Sequence, residues 1–105
     1  MIRIKVFNTH GNFRRKWGSR GKYSGQFFGL GLICVDDLGH VFVCDYGNDR
    51  IQIFKSDGTF VTEFGTRGKE KGQFCNPFAI CTDTRGRILV GDSQSKVQVF
   101  AFDYD

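Results

Sequence analysis

Three copies of one short pattern divide this chain and restrict what it can become. Arg3-Ile4-Lys5-Val6-Phe7 recurs as Arg50-Ile51-Gln52-Ile53-Phe54 and again as Lys96-Val97-Gln98-Val99-Phe100. Each copy reads cation, branched apolar, polar, branched apolar, Phe, which is the period-two alternation of a β-strand whose two faces meet different surroundings. Self-similarity at a wide, fixed interval means a strand-rich unit used more than once.

Aligning the copies extends the match to a period of about 47 residues. Gly11 falls over Gly58, Phe13 over Phe60, Gly18 over Gly65, Gly21 over Gly68, and Gly25-Gln26-Phe27 over Gly72-Gln73-Phe74. Downstream, Ile33-Cys34 lies over Ile80-Cys81, Asp36 over Asp83, Gly39 over Gly86, Val43 over Val90 and Asp45 over Asp92. The stretch from Asp92 to Lys96 is one residue shorter than that from Asp45 to Arg50, a deletion of the kind surface loops tolerate. The whole of 1–105 thus reads as one repeat region, with periods at 3–49 and 50–95 and the start of a third copy at 96–105.

Each period predicts four strands separated by glycine or polar turns. The first is Leu30 to Val35, matched by Phe78 to Thr82, and the second is Val41-Phe42-Val43-Cys44, matched by Ile88-Leu89-Val90. The recurring opening pattern is the third, and Asn12 to Trp17, matched by Thr59 to Phe64, is the fourth. The second strand is apolar at every position, so both its faces need cover from other layers. Turns such as Asp37-Leu38-Gly39, Thr84-Arg85-Gly86 and Ser56-Asp57-Gly58 place glycine where tight hairpins need positive φ. With Phe 12, Gly 14 and Pro 1, and no helical periodicity, the expectation is an all-β fold of β-propeller blades, each of four antiparallel strands, about two blades in this chain. Phe42, Val43, Ile51, Ile53, Phe54, Ile80, Leu89, Val90 and Val99 are the expected core.

Composition narrows the functional classes. No window approaches the roughly eighteen apolar residues of a membrane span, and Met1-Ile2-Arg3-Ile4-Lys5 lacks the apolar core of a secretory signal. Cys34, Cys44, Cys75 and Cys81 contain no C-x-x-C pair and are not spaced with His10 and His40 for zinc. They read as small buried hydrophobes in a reducing compartment, the cytoplasm, with no metal and no cofactor. No phosphate loop, H-E-x-x-H or nucleophile-base set is present, so no enzyme is expected. A net charge of +4 is compatible with a polyanionic partner.

These residues carry a resemblance. Gly65-Thr66-Arg67-Gly68, Gly72-Gln73-Phe74, Pro77, Ile80 to Asp83, Gly86, Ile88 to Asp92 and Lys96 to Phe100 resemble the NHL repeat. So do Gly39, Val41 to Val43, Asp45, Asn48 and Arg50 to Phe54 in the preceding copy, whereas Leu30 stands where the family has proline, and Ser95-Lys96 where it has an asparagine-rich loop and arginine. The resemblance implies a non-enzymatic recognition module of a six-bladed propeller, as in tripartite-motif NHL proteins, several of which bind RNA and others protein. Ubiquitin-ligase chemistry in those proteins belongs to a RING domain, which this chain lacks. A little over two blades leaves faces uncovered, so further blades are expected from a longer protein or from self-association.

The candidate site follows from charge and loop placement. The segment Phe13 to Tyr23 holds five cations, three aromatics and no acid. In a propeller the connection between blades shares a face with the loop between second and third strands. That expectation gathers Arg20, Lys22, Tyr23, Tyr46, Asn48, Arg50, Arg67, Lys69, Lys71 and Lys96 on one surface. Cations to hold phosphates and aromatics to stack bases suit single-stranded or hairpin-loop RNA. The alternative partner is a protein, with the chain as the substrate-receptor module of a tripartite-motif type ligase. Asp45 and Asp92, each before a per-repeat cation, read as structural braces, and Gly39 and Gly86 as turn residues.

Overall fold

The computed structural model describes residues 2–102. Strands β1 (Ile4–Phe7) and β2 (Phe13–Trp17) form an antiparallel hairpin. β3 (Leu30–Val35), β4 (Val41–Asp45), β5 (Arg50–Phe54) and β6 (Phe60–Phe64) form a four-stranded antiparallel sheet in chain order, with one 3₁₀ turn at Tyr46–Asn48. A short parallel ladder joins β7 (Thr66–Arg67) to β8 (Gln73–Phe74). β9 (Pro77–Thr82), β10 (Arg87–Asp92) and β11 (Val97–Ala101) complete a three-stranded antiparallel sheet. The described residues contain no α-helix. The three sheets are therefore the last two strands of one unit, all four of the next, and the first three of another. The feature absent from the sequence reading is the parallel β7–β8 pairing, echoed one period earlier by the bridge between Arg20 and Phe27.

The hairpins close on side-chain oxygens. Asp36 Oδ1 accepts the N–H groups of Leu38 and His40, and Asp83 Oδ1 accepts those of Arg85 and Arg87. Asn8 Oδ1 does the same for His10 and Asn12, and Asp92 Oδ1 for Gln94 and Lys96. Each Asx side chain thereby satisfies donors that the tight turn takes out of the ladder.

Stacked sheets explain why β4 and β5 are buried at every position. One face of the middle sheet (Phe42, Cys44, Ile51, Ile53) packs with Phe74 of β8 and with Ile80, Ile88 and Val90 of the sheet that follows. Its other face (Val41, Val43, Phe54) packs with Ile4 and Phe27 from the unit before, and with Trp17. The innermost strands β3 and β9 lie side by side. They approach backbone to backbone at Gly31, where a Cβ would stand 2.9 Å from Phe78 Cα and O. Gly18 and Gly65 hold a second close approach: at φ +108 in both, an added Cβ would strike the ring of Phe27 at 2.7 Å or of Phe74 at 2.5 Å.

Part of the expected core is not enclosed. Val99 is 56% and Val97 66% exposed, Cys81 is exposed and Leu89 half-buried. Cross-strand pairing puts Cys81, Leu89 and Val99 in one row, on the face opposite the one that buries Ile80, Ile88 and Val90. Their equivalents in the middle sheet are covered by the next sheet, and nothing among the described residues covers these. On the other side, Ile33 (47%) and Val35 (57%) of β3 are exposed, where the β1–β2 unit has no inner strands to lie against them.

Candidate functional site

The loops between units are held by a polar clasp at one end of the sheets. Asp45, at the end of β4, is fully buried, and its Oδ2 accepts Arg50 Nε at 2.9 Å, Asn48 Nδ2 at 2.9 Å and Gln52 Nε2 at 3.2 Å. Arg50 Nη1 donates to Glu63 Oε2 and to the carbonyl of Lys22, both at 2.8 Å. Its Nη2 donates to the carbonyls of Tyr23 (3.0 Å) and Gln26 (2.9 Å). Gln52 accepts Gly25 N–H at 2.8 Å and donates to Gln26 O at 2.6 Å, while Asn48 Nδ2 donates to Gly21 O at 2.9 Å. The connection 21–26 is thus bound chiefly by its backbone, with a side-chain bond from Ser24 Oγ to Glu63 Oε1 at 2.5 Å. A buried guanidinium on two carboxylates and three carbonyls is the arrangement in which a buried charge is compensated.

The next unit repeats the clasp with fewer bonds. Gln98 accepts Gly72 N–H and donates to Gln73 O, both at 2.8 Å, and Asp92 Oδ2 accepts Cys75 N–H as Asp45 Oδ1 accepts that of Phe28. Lys96, in the place of Arg50, donates to Lys69 O and Glu70 O. A point charge cannot reproduce the fork that Arg50 spreads over its partners.

The ten residues assembled from sequence divide into two sets. Arg50 is buried, and Asn48 and Lys96 are half-buried, with their donors turned inward to the clasp. Arg20, Lys22, Tyr23, Tyr46, Arg67, Lys69 and Lys71 are exposed, Tyr23 at 79%. Arg67 stands 4.0 Å from the Asp49 carboxylate with its side chain 78% exposed, a weak pairing in water. Sequence reasoning missed Phe28, which is 51% exposed with the Arg20 guanidinium 5.4 Å from its ring centroid. Its position departs from the repeat, with Cys75 as its counterpart, and that departure was the available signal. Tyr46 packs beside it: a Cβ on Gly29 would meet the Tyr46 ring at 2.7 Å, and one on Gly47 the Phe28 carbonyl at 2.3 Å.

The opposite end differs in chemistry. A hollow of about 490 Å³ lies between the turns at 36–38 and 82–86, lined by Asp36, Asp37 and Asp83 among others. Asp36 and Asp83 serve as the turn caps described above. Among the described residues no group of His, Cys, Asp and Glu could hold a metal ion, and no helix is long and apolar enough to cross a membrane.

Comparison with known families identifies the unit. The family model for the NHL repeat matches residues 33–54, which run from within β3 through β4 and the 3₁₀ turn to the end of β5. No curated protein matches the chain. The matched stretch contains Asp45, Asn48, Arg50 and Gln52, the clasp itself. NHL repeats are propeller blades that serve as recognition and interaction modules and are generally not catalytic, and the stretch of this all-β chain that runs through β4 and the clasp into β5 matches that repeat.

Proposed function

We propose that this chain, through its repeat periods 3–49 and 50–95 and the opening of a third, is a non-enzymatic recognition module of the cytoplasm that binds single-stranded or looped RNA. The observation that carries the reading is the sorting of charge at the clasp end. Asp45, Asp49 and Asp92 are buried in internal bonds, while Arg20, Lys22, Arg67, Lys69 and Lys71 stand in solvent on the connections, against one exposed acid there, Glu70. The exposed rings of Tyr23, Phe28 and Tyr46 supply π-faces among those cations. Exposed cations hold phosphates, and stacked aromatics hold unpaired bases with little sequence demand.

The test is the salt dependence of RNA binding. With about four to six phosphates neutralised, log affinity falls against log salt with a slope of roughly −3 to −4. Arg20→Glu with Lys22→Glu weakens binding and flattens the slope, whereas Tyr23→Ala or Phe28→Ala costs about 1–3 kcal/mol at unchanged slope. Arg85→Glu with Arg87→Glu, in the turn at the far end, is the control for net charge. Equal losses from that control would refute a specific face. A second reading, a protein-receptor module of a tripartite-motif type ligase, draws on the interaction role of NHL repeats, and a salt-tolerant peptide partner at Tyr23 and Phe28 would favour it.

A further inference from the structure

The β1–β2 hairpin repeats the scaffold of β5–β6 with lysine in the place of its carboxylate. Registers coincide: Lys5 pairs with Lys16 as Gln52 pairs with Glu63, and Phe7 with Phe13 as Phe54 with Phe60, each with a shift at the same step. Both Phe pairs meet edge to face at 5.9 Å and 75°. In the second unit the face carrying Arg50, Gln52, Phe54 and Glu63 is covered, and Phe54 is 1% exposed. What covers it is polypeptide, the connection 21–26 clasped through its carbonyls and N–H groups, with Phe27 packed at 5.7 Å on Phe54. Gln98 takes the equivalent segment, Gly72-Gln73, in the third unit.

In the first unit the same positions are Arg3, Lys5, Phe7, Lys16 and Phe13. Phe7 and Phe13 are each 53% exposed, and Lys5 and Lys16 are exposed. Among the described residues none of the three cations forms an ion pair. Glu63 and Asp45 balance Arg50 in the second unit, but Lys16 stands here in the place of that glutamate. Directly opposed lysines on a strand pair repel.

We infer that this face of β1–β2 is a docking surface for an acidic polypeptide segment. The segment lies across the hairpin as residues 21–26 lie across β5–β6, brings carboxylates to Lys5 and Lys16, and ends on an aromatic residue that packs on Phe7 and Phe13. That the occupant is polypeptide follows from what the same scaffold holds in the two later units. That it is acidic follows from Lys16 in the place of Glu63, Lys5 in the place of Gln52, and the lack of an ion pair at either among the described residues. The inference does not rest on the RNA reading, which concerns the exposed side chains of the connections rather than this sheet face.

The experiment uses two fluorescent peptides with the full 105-residue chain. One has the sequence of residues 21–27, Gly-Lys-Tyr-Ser-Gly-Gln-Phe, and the other has its Lys and Ser replaced by Glu. The acidic peptide is expected to bind about fivefold tighter or more, the effect of two rim ion pairs, with the preference shrinking in high salt. The double variant Lys5→Gln, Lys16→Glu, which writes the second unit's pattern into the first, reverses the preference. Amide shifts induced by the acidic peptide in the unmodified chain fall on residues 3–17, a readout independent of how the variant folds. Equal affinity for both peptides, an unreversed preference, or shifts elsewhere would overturn the inference. So would displacement of the acidic peptide by a single-stranded oligonucleotide that loses affinity equally in the double variant, which would make the face a nucleic-acid surface. Concentration-dependent loss of the site to a second copy of the chain would do the same.

Discussion

Arg50 Nε donates to Asp45 Oδ2 at 2.9 Å, across a pair whose side chains are 8% and 0% exposed. Removing one member leaves the other charge buried without its principal partner. Asp45→Ala is therefore expected to cost about 3–5 kcal/mol in urea unfolding. Gln52→Ala, which removes bonds to Gly25, Gln26 and the Asp45 carboxylate but leaves the Asp45–Arg50 pair in place, costs about 1–3 kcal/mol. In both variants hydrogen exchange should accelerate first at the amides of residues 21–28, because the clasp is what orders that connection.

Burial separates two valine and phenylalanine positions that sequence treats alike. Phe42 has no exposure and sits between two sheets, so Phe42→Ala should cost about 3–5 kcal/mol. Val99→Ala, on the uncovered face of β11, should change stability by no more than about 0.5 kcal/mol at dilutions where the chain is monomeric. A Val99→Ala loss approaching that of Phe42→Ala at those dilutions would mean that this face is covered within the monomer.

The same uncovered face sets the association state. Val97, Val99, Cys81 and Leu89 on one side, and Ile33 and Val35 on the other, are stacking surfaces without stacks. Sedimentation of the 105-residue chain at micromolar concentration is expected to show self-association. Val99→Asp, which places a charge in the row, is expected to shift the distribution toward monomer.

Thiol titration gives a pH dependence of defined sign. Burial first, and then the neighbouring Cys81 and Asp36, push the Cys34 thiol up to about 11, and burial, then Cys34, pushes Cys44 up to about 12, from an ordinary value of 9.0. The folded state therefore holds these protons more tightly than the unfolded chain. Their contribution to stability is intact below pH 9.0 and is lost as pH rises through about 11 to 12. The urea midpoint should be flat from about pH 7 to 8.5 and fall by about pH 10.5, with a shallower fall in Cys44→Ala. At about pH 8, exposed Cys81 should be alkylated well before Cys44.

Alternation of Ile51, Ile53 and their counterparts made the strands legible, because a repeated side chain must meet a repeated environment. Glycine spacing made the hairpins legible for the same reason. Val99 was misjudged because its pattern is that of Ile53, and only the order of stacking tells which copy has a neighbour. At the site, the loops were placed by their position between strands. Arg50, Lys96 and Asn48 joined the exposed cations and aromatics in the sequence reading because charge is visible in a sequence while the direction of a side chain is not. Phe28 went unremarked because it adjoins Phe27, which does repeat and is buried.

The clasp takes hold of Lys22, Tyr23 and Gln26 only by their carbonyl oxygens. Holding and reading are thereby assigned to different atoms of the same residues. Side chains at 22 and 23 can be exchanged without touching the bonds that order the loop, so the surface can drift toward a new ligand while the scaffold's stability stays level. A stretch built this way is a natural cassette: randomising positions 20, 22 and 23 should yield mostly folded variants, whereas randomising 45, 50 and 52 should yield few.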